Sequence, residues 1–152
     1  MRRKVKTGVA GTGAMSDQYN PLEERLLLTR NSMELINAYG FGTALATKSD
    51  MIVRDADVLK DIQSQSPVIV RFSVSVADDG LCGKIEPNVA TTSKRFEAMA
   101  ALTAQGIYCG VLMIPMLPFI GDNEANIVQI CKMAKEAGAS FVCTHMGMTL
   151  MI

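Results

Sequence analysis

The sequence predicts an α/β domain built on a parallel sheet. Strand-like and helix-like patterns alternate from the first apolar run to the last, as successive βαβ units require. One strand-like run, "IYCGVLMIPML" (residues 107–117), is nearly all apolar, as expected of a strand covered on both faces. Small and polar residues gather where the strand-like runs stop, the place where parallel α/β proteins hold ligands.

In chain order, "KTGVAGT" (6–12) reads as the first strand. "NPLEERLLLTRNSMELINAYG" (20–40) reads as one helix: Asn20 caps it, Pro21 fits the first turn, Glu23 takes the capping-box position and Gly40 closes the end. Its apolar stripe is Leu22, Leu26, Met33 and Ile36. "GTALAT" (42–47) is the second strand, and "RDADVLKDIQSQ" (54–65) is a shorter helix with Val58, Leu59 and Ile62 inward. "PVIVRFSVSV" (67–76) is the third strand and "TTSKRFEAMAALTAQG" (91–106) a helix ending at Gly106. After the apolar fourth strand, "GDNEANIVQICKMAKEAG" (121–138) is a helix with Ile127, Ile130, Cys131 and Ala134 on one side. "ASFVCTH" (139–145) is the fifth strand.

A doubly wound open sheet and a (β/α) barrel both fit this order. No G-x-G-x-x-G or G-x-x-x-x-G-K-[ST] follows any strand, which weakens dinucleotide and P-loop readings. No linker or low-complexity stretch divides residues 1–152, so a single domain is expected. The last strand has no helix after it, and the chain opens on a basic, helix-end-like run. Both ends are therefore expected to be cut from something longer.

The chain carries 15 basic and 15 acidic residues, a balance that does not announce nucleic acid. The one basic run, "MRRKVK", reads as a solvated helix end or terminus. No apolar run approaches the roughly 20 residues of a membrane span, and no apolar segment follows the basic start as in a secretory signal. A cytoplasmic protein without membrane contact is expected. Cys82, Cys109, Cys131 and Cys143 are widely spaced, whereas zinc and iron–sulfur sites usually show a close pair. They read as free, mostly buried thiols. Eleven methionines give an adaptable core.

The strand ends define a candidate site. They carry Ala14, Met15, Ser16 and Asp17; Thr47, Lys48, Ser49 and Asp50; Ser73 and Ser75, then Asp78 and Asp79; Pro115 and Pro118; and Thr144 and His145. Taken singly, these are solvated loop residues. Together, one cation, several hydroxyls and carboxylates suit a small zwitterion: Lys48 for a carboxylate, Ser and Asp for an ammonium and a ribose diol. His145, the lone histidine, has no Ser or Cys partner in a triad-like arrangement. Asp50, Asp55 and Asp57 read as helix-start caps and dipole partners.

Five segments, "GTGAMSDQYNPLEERLLLTR", "ALATKSDMIVRDADVL", "RFSVSV", "IEPNVATTSKRFEAMAAL" and "GVLMIPMLPFIGDN", together resemble the radical S-adenosylmethionine (SAM) enzymes of the spore photoproduct lyase-like group, often labelled DNA repair photolyases. The resemblance covers nearly the whole chain, and the order and spacing of the motifs make it specific. It implies an incomplete (β/α)6 partial TIM barrel, with the five strands here as barrel strands two to six. It also implies SAM and a [4Fe–4S] cluster as cofactors; the cluster cleaves SAM to a 5′-deoxyadenosyl radical that abstracts hydrogen from substrate. By the same resemblance Ser16, Lys48 and Ser75 contact SAM, Lys48 through the carboxylate, and Glu86 with Arg95 supports the rim as an ion pair. Asp17, beside Ser16, joins the cofactor-binding set.

Two departures qualify this. The family's C-x-x-x-C-x-x-C loop, which supplies the cluster thiolates, is absent from the sequence, and the four cysteines present cannot replace it at their spacing. Ala14 stands where spore photoproduct lyases have a cysteine that returns hydrogen to the product radical, so thymine-dimer repair is not carried over and the substrate stays open. The expectation is a fragment of a radical SAM enzyme, inactive alone. The alternative is a non-catalytic nucleotide-binding or scaffold module from a degenerate barrel. An aldolase or isomerase is the weaker third reading, because no base is evident beside Lys48. Nucleic acid is a partner by family only, and an exposed parallel edge strand favours self-association.

Overall fold

The computed structural model describes residues 7–13 and 15–144. The basic start, Ala14 and His145 lie outside the described residues. Five parallel strands form one sheet: β1 (Val9–Thr12), β2 (Gly42–Thr47), β3 (Val68–Ser73), β4 (Cys109–Met113) and β5 (Phe141–Thr144). Their spatial order is their chain order, β1-β2-β3-β4-β5. Every crossover therefore advances one strand the same way, as in the wall of a barrel. A doubly wound sheet reverses its order partway across. This decides what strand–helix alternation alone left open.

The alternation of side chains sorts the strands into two faces. Leu45, Val70, Phe72, Cys109 and Val111 are fully or almost fully buried against the helices. Ala44, Ala46, Arg71, Ser73 and Leu112 point the other way and are only half-buried. The fourth strand is thus apolar throughout without being equally covered on both sides. The helices supply the rest of the core: Met33, Leu59, Ile62, Met99, Leu102 and Ile130 are at most 1% exposed.

The helices are α1 (Glu23–Leu26), α2 (Leu28–Ala38), α3 (Ala56–Gln63), α4 (Asp79–Ile85), α5 (Thr92–Thr103) and α6 (Glu124–Glu136), with a 3-10 segment at Asp50–Asp55. The expected helix over 20–40 is broken at Leu27, which adopts a left-handed φ of 52°. Leu22 and Leu26 are exposed rather than part of the stripe, while Met33 is buried. Glu23 caps the second helix instead of its own. Its carboxylate accepts from Thr29 N at 3.0 Å and pairs with Arg54 at 3.1 Å, which holds it 3% exposed.

Helix α4 forms where the sequence pattern shows none. Gly80 and Gly83 lower its helix propensity, and the Asp78 carboxylate compensates by accepting from Leu81 N at 2.6 Å. Val58, Leu59 and Ile62 are inward as expected, but Cys131 is exposed. Only Cys82 and Cys109 are buried thiols, and burial pushes the Cys109 thiol up to about 12. Among the described residues no helix is long and apolar enough to cross a membrane.

Candidate functional site

The site lies where the strands end. After β1 the chain turns at Gly13, whose φ is +87°. A Cβ there would collide with the Ala46 carbonyl, so only glycine lets this loop close onto the end of β2. The loop then presents Met15, Ser16 and Asp17. Ser16 is exposed. The Asp17 carboxylate accepts from Thr47 Oγ1 at 2.8 Å, from Lys48 N at 2.6 Å and from Tyr19 N at 3.0 Å. Asp17 is therefore a clamp between the β1 and β2 loops, with its acceptor capacity largely committed to protein donors.

Lys48 reaches across the rim. Its Nζ donates to Glu86 Oε1 at 2.8 Å, and its side chain keeps 31% exposure. Glu86 is a junction: Oε1 also accepts from Ser75 Oγ at 2.9 Å, and Oε2 from Arg95 Nη2 at 2.7 Å. Burial alone would raise the Glu86 carboxyl; the hydrogen bonds from Lys48 and Arg95 outweigh it and hold the group below the usual glutamate value. Arg95 has no exposure at all, and it also donates to the Ser73 and Ala90 carbonyls at 2.7 and 2.8 Å. The ion pair expected of Glu86 and Arg95 is present, and it ties the end of β3 to Lys48.

A cavity of about 300 Å³ opens beside this rim, lined by Gly13, Ser16, Asp17, Thr47, Lys48 and Ser73 among others. Of the expected residues, Ser16, Asp17 and Lys48 border it. Ser75 does not. It is 3% exposed and spends its hydroxyl on Glu86. Ser73, two residues earlier at the end of β3, is the serine that faces the cavity. Phe72, Val74 and Val76 all point into the core, so alternation puts both serines on the opposite side. Strand length, which alternation does not report, separates them.

Behind the rim, Asp55 is fully buried and takes Tyr19 Oη at 3.2 Å, Arg54 Nε at 2.8 Å and Arg30 Nη1 at 3.3 Å. Burial first, then the Asp55 charge, pushes the Tyr19 hydroxyl far above its ordinary value, so it stays a donor. The sequence reading of Asp55 as a plain helix cap is corrected: its side chain makes no cap bond to α3 and instead anchors an ion network. Asp57 is salt-bridged to Arg30 at 2.6 Å, which holds its carboxyl at about 2.

Among the described residues, no group of three His, Cys, Asp or Glu side chains is placed to hold a metal ion.

No protein-family profile matches the chain. It is 31% identical over 124 residues to an uncharacterised protein of Methanocaldococcus jannaschii, which covers 82% of this chain and 46% of that one. It is 28% identical over 130 residues to an uncharacterised protein of Mycobacterium tuberculosis, covering 86% of this chain and 38% of that one. The chain thus spans less than half the length of these curated relatives. Among solved structures it is similar to spore photoproduct lyase complexed with dinucleoside spore photoproduct, at a TM-score of 0.68 and 15% identity, over 90% of this chain and 39% of that one. A point mutant of the same enzyme gives a TM-score of 0.67 at 16% identity and the same coverage. At that identity the likeness is one of fold: the five-stranded wall described above has the architecture of part of spore photoproduct lyase.

Proposed function

We propose that this chain is part of a radical SAM enzyme and that the rim cavity is its SAM-binding site, formed on barrel strands two to six of a partial (β/α)6 barrel. The observation that carries this reading is the convergence of Ser16, Lys48 and Ser73 on one cavity at the carboxyl ends of three adjacent parallel strands. The donor set suits SAM. Lys48 Nζ has three donors, and Glu86 occupies one of them, leaving others for a carboxylate. The Ser16 and Ser73 hydroxyls accept from an ammonium or bond a ribose. Asp17 holds the loop that carries Ser16, and Glu86 fixes the reach of Lys48; both act by positioning.

In the resembled family, SAM supplies a hydrogen-abstracting 5′-deoxyadenosyl radical once a reduced [4Fe–4S] cluster sits beside it. The residues described here fit SAM and do not fit the cluster: Cys82 and Cys109 are buried in the core, and Cys131 and Cys143 lie on separate elements. The chain alone is thus expected to bind SAM without cleaving it. A cluster-free module that takes a SAM-like nucleotide is the second reading, favoured by the same mismatch between a fitting cavity and absent thiolates.

Calorimetric titration with SAM tests the site. Lys48→Ala and Ser73→Ala should each weaken binding about tenfold, the size of one lost hydrogen bond to a charged group, and Ser75→Ala should not. No heat with the wild-type chain would sink the proposal. Anaerobic reconstitution tests the premise that both readings share: brown protein with a full iron complement would overturn the claim that this chain lacks a cluster site.

A further inference from the structure

On the open face of the sheet, Arg71 makes no salt bridge or side-chain hydrogen bond among the described residues. Arg71 sits in β3, the central strand, registered with Ala46 on one side and Gly110 on the other. The other arginines with buried neighbours are committed: Arg30, Arg54 and Arg95 are all in salt bridges. Among the described residues Arg71 is in none, and its Nε is shielded from water with no hydrogen-bond acceptor. A shielded N–H on a fixed charge is unfavourable unless an acceptor arrives.

The surroundings leave room for one. Arg71 lines a cavity of about 370 Å³ with Gly11, Gly13, Ala46, Ser73 and Leu112. The row across the sheet reads Ala46, Arg71, Gly110, Phe141, so its immediate neighbours carry a methyl group and a hydrogen. Gly110 leaves room for the Phe141 ring: a Cβ at 110 would lie 2.5 Å from it and displace it. The ring therefore lies over Gly110, and the space beside Arg71 opens on the other side, toward Ala46, Gly11 and Gly13. Gly13, Ala46 and Ser73 border both this cavity and the rim cavity, so the two adjoin at the end of β3. Arg71 lies two residues deeper than Ser73, about 6–7 Å along the strand.

We infer that Arg71 is a substrate-recognition residue, and that the substrate carries an oxyanion, a carboxylate or a phosphate, which the guanidinium fork binds on the floor of the open face. This rests on the reading of the rim as the SAM site, since it assigns the deeper chamber to the second reactant. A guanidinium presents paired N–H donors matched to two oxygens, which is the geometry an oxyanion needs and chloride lacks.

The test is a nitrogen-15 NMR titration of the chain with dimethyl phosphate and, separately, acetate, against chloride at constant ionic strength. The Arg71 Nε–H resonance, identified by its loss in Arg71→Lys, should move and saturate with at least one oxyanion and stay fixed in chloride. Acetate response alone assigns a carboxylate substrate; dimethyl phosphate response assigns a phosphate. Arg71→Met keeps the apolar stem, and should weaken binding, read at the Gly110 and Ser73 amides, about tenfold or more. A resonance unmoved by both anions, or unchanged affinity in Arg71→Met, overturns the inference. SAM is then added. If saturating SAM displaces the oxyanion from Arg71, the anion is the cofactor's own carboxylate and the substrate assignment is overturned. If SAM fails to bind while Arg71 still takes an oxyanion, the SAM reading fails and the Arg71 site stands.

Discussion

The two faces of the same strands are built to different rules. Toward the helices, Phe72, Val70, Leu45 and Val111 are at most 1% exposed. On the opposite face Ala46, Arg71 and Ser73, with Leu112 beside them, are half-buried and border a cavity. One face buries apolar area and holds the fold. The other gives up that burial, and the space it leaves is what a ligand needs. Stability and binding are thereby assigned to alternate residues of one strand, so neighbours in sequence should respond in opposite ways to truncation.

Phe72 and Ser73 give the sharpest contrast. Phe72→Ala removes a fully buried ring and should cost about 3–5 kcal/mol of unfolding free energy. Ser73→Ala should change stability by no more than about 0.5 kcal/mol, because its hydroxyl makes no hydrogen bond among the described residues and it is its carbonyl that serves Arg95. Urea unfolding measures the first, and SAM titration measures what Ser73→Ala loses instead. Equal destabilisation by both would erase the distinction between the faces.

Arg95 complicates the covered side, since a charge lies there with no exposure. Arg95→Ala leaves Glu86 without its buried partner and frees the Ser73 carbonyl, so a loss of about 3–5 kcal/mol is expected. A loss below about 1 kcal/mol would mean that the Glu86–Lys48 pair carries the junction unaided.

How far the sequence showed these faces depends on what pattern reports. The alternation of elements marked the parallel sheet, and the polar residues at the ends of the strand-like runs marked where a site lies. Strand order needed the structure, because the same alternation serves barrels and doubly wound sheets. The break at Leu27 was hidden in a run of three leucines that supports a helix at every position; the tertiary pull of Glu23 on Thr29 and Arg54 decides it. Ser16, Asp17 and Lys48 were legible as a cluster because loops after adjacent parallel strands must meet. The Glu86 junction joins Lys48 to a residue 38 positions away, and no local spacing encodes that contact. Arg71 was invisible as a site residue for the opposite reason: inside a strand, an arginine announces neither its face nor its lack of a partner.

The smallest effect bears on how the rim is held in place, and pH reads it. The folded-state Glu86 carboxyl lies below its ordinary value of 4.5. A depressed acid contributes stability that is fully present above the unfolded value and is lost as pH falls through the lower folded one. Near neutral pH, Glu86→Gln removes a charge that Lys48 and Arg95 both face, so the variant should melt below wild type. As pH drops beneath 4.5, wild-type Glu86 gains its own proton and comes to resemble the amide, so the gap between the melting curves should close. Asp57 serves as the internal control. It is also depressed, to about 2, but it is paired on an exposed helix surface with Arg30, so Asp57→Asn should shift melting less at every pH. A wild-type to Glu86→Gln gap that stays constant from neutral pH to about pH 3 would mean that the carboxylate charge is not what joins β3 to Lys48. The covered and open faces would then be linked by packing alone.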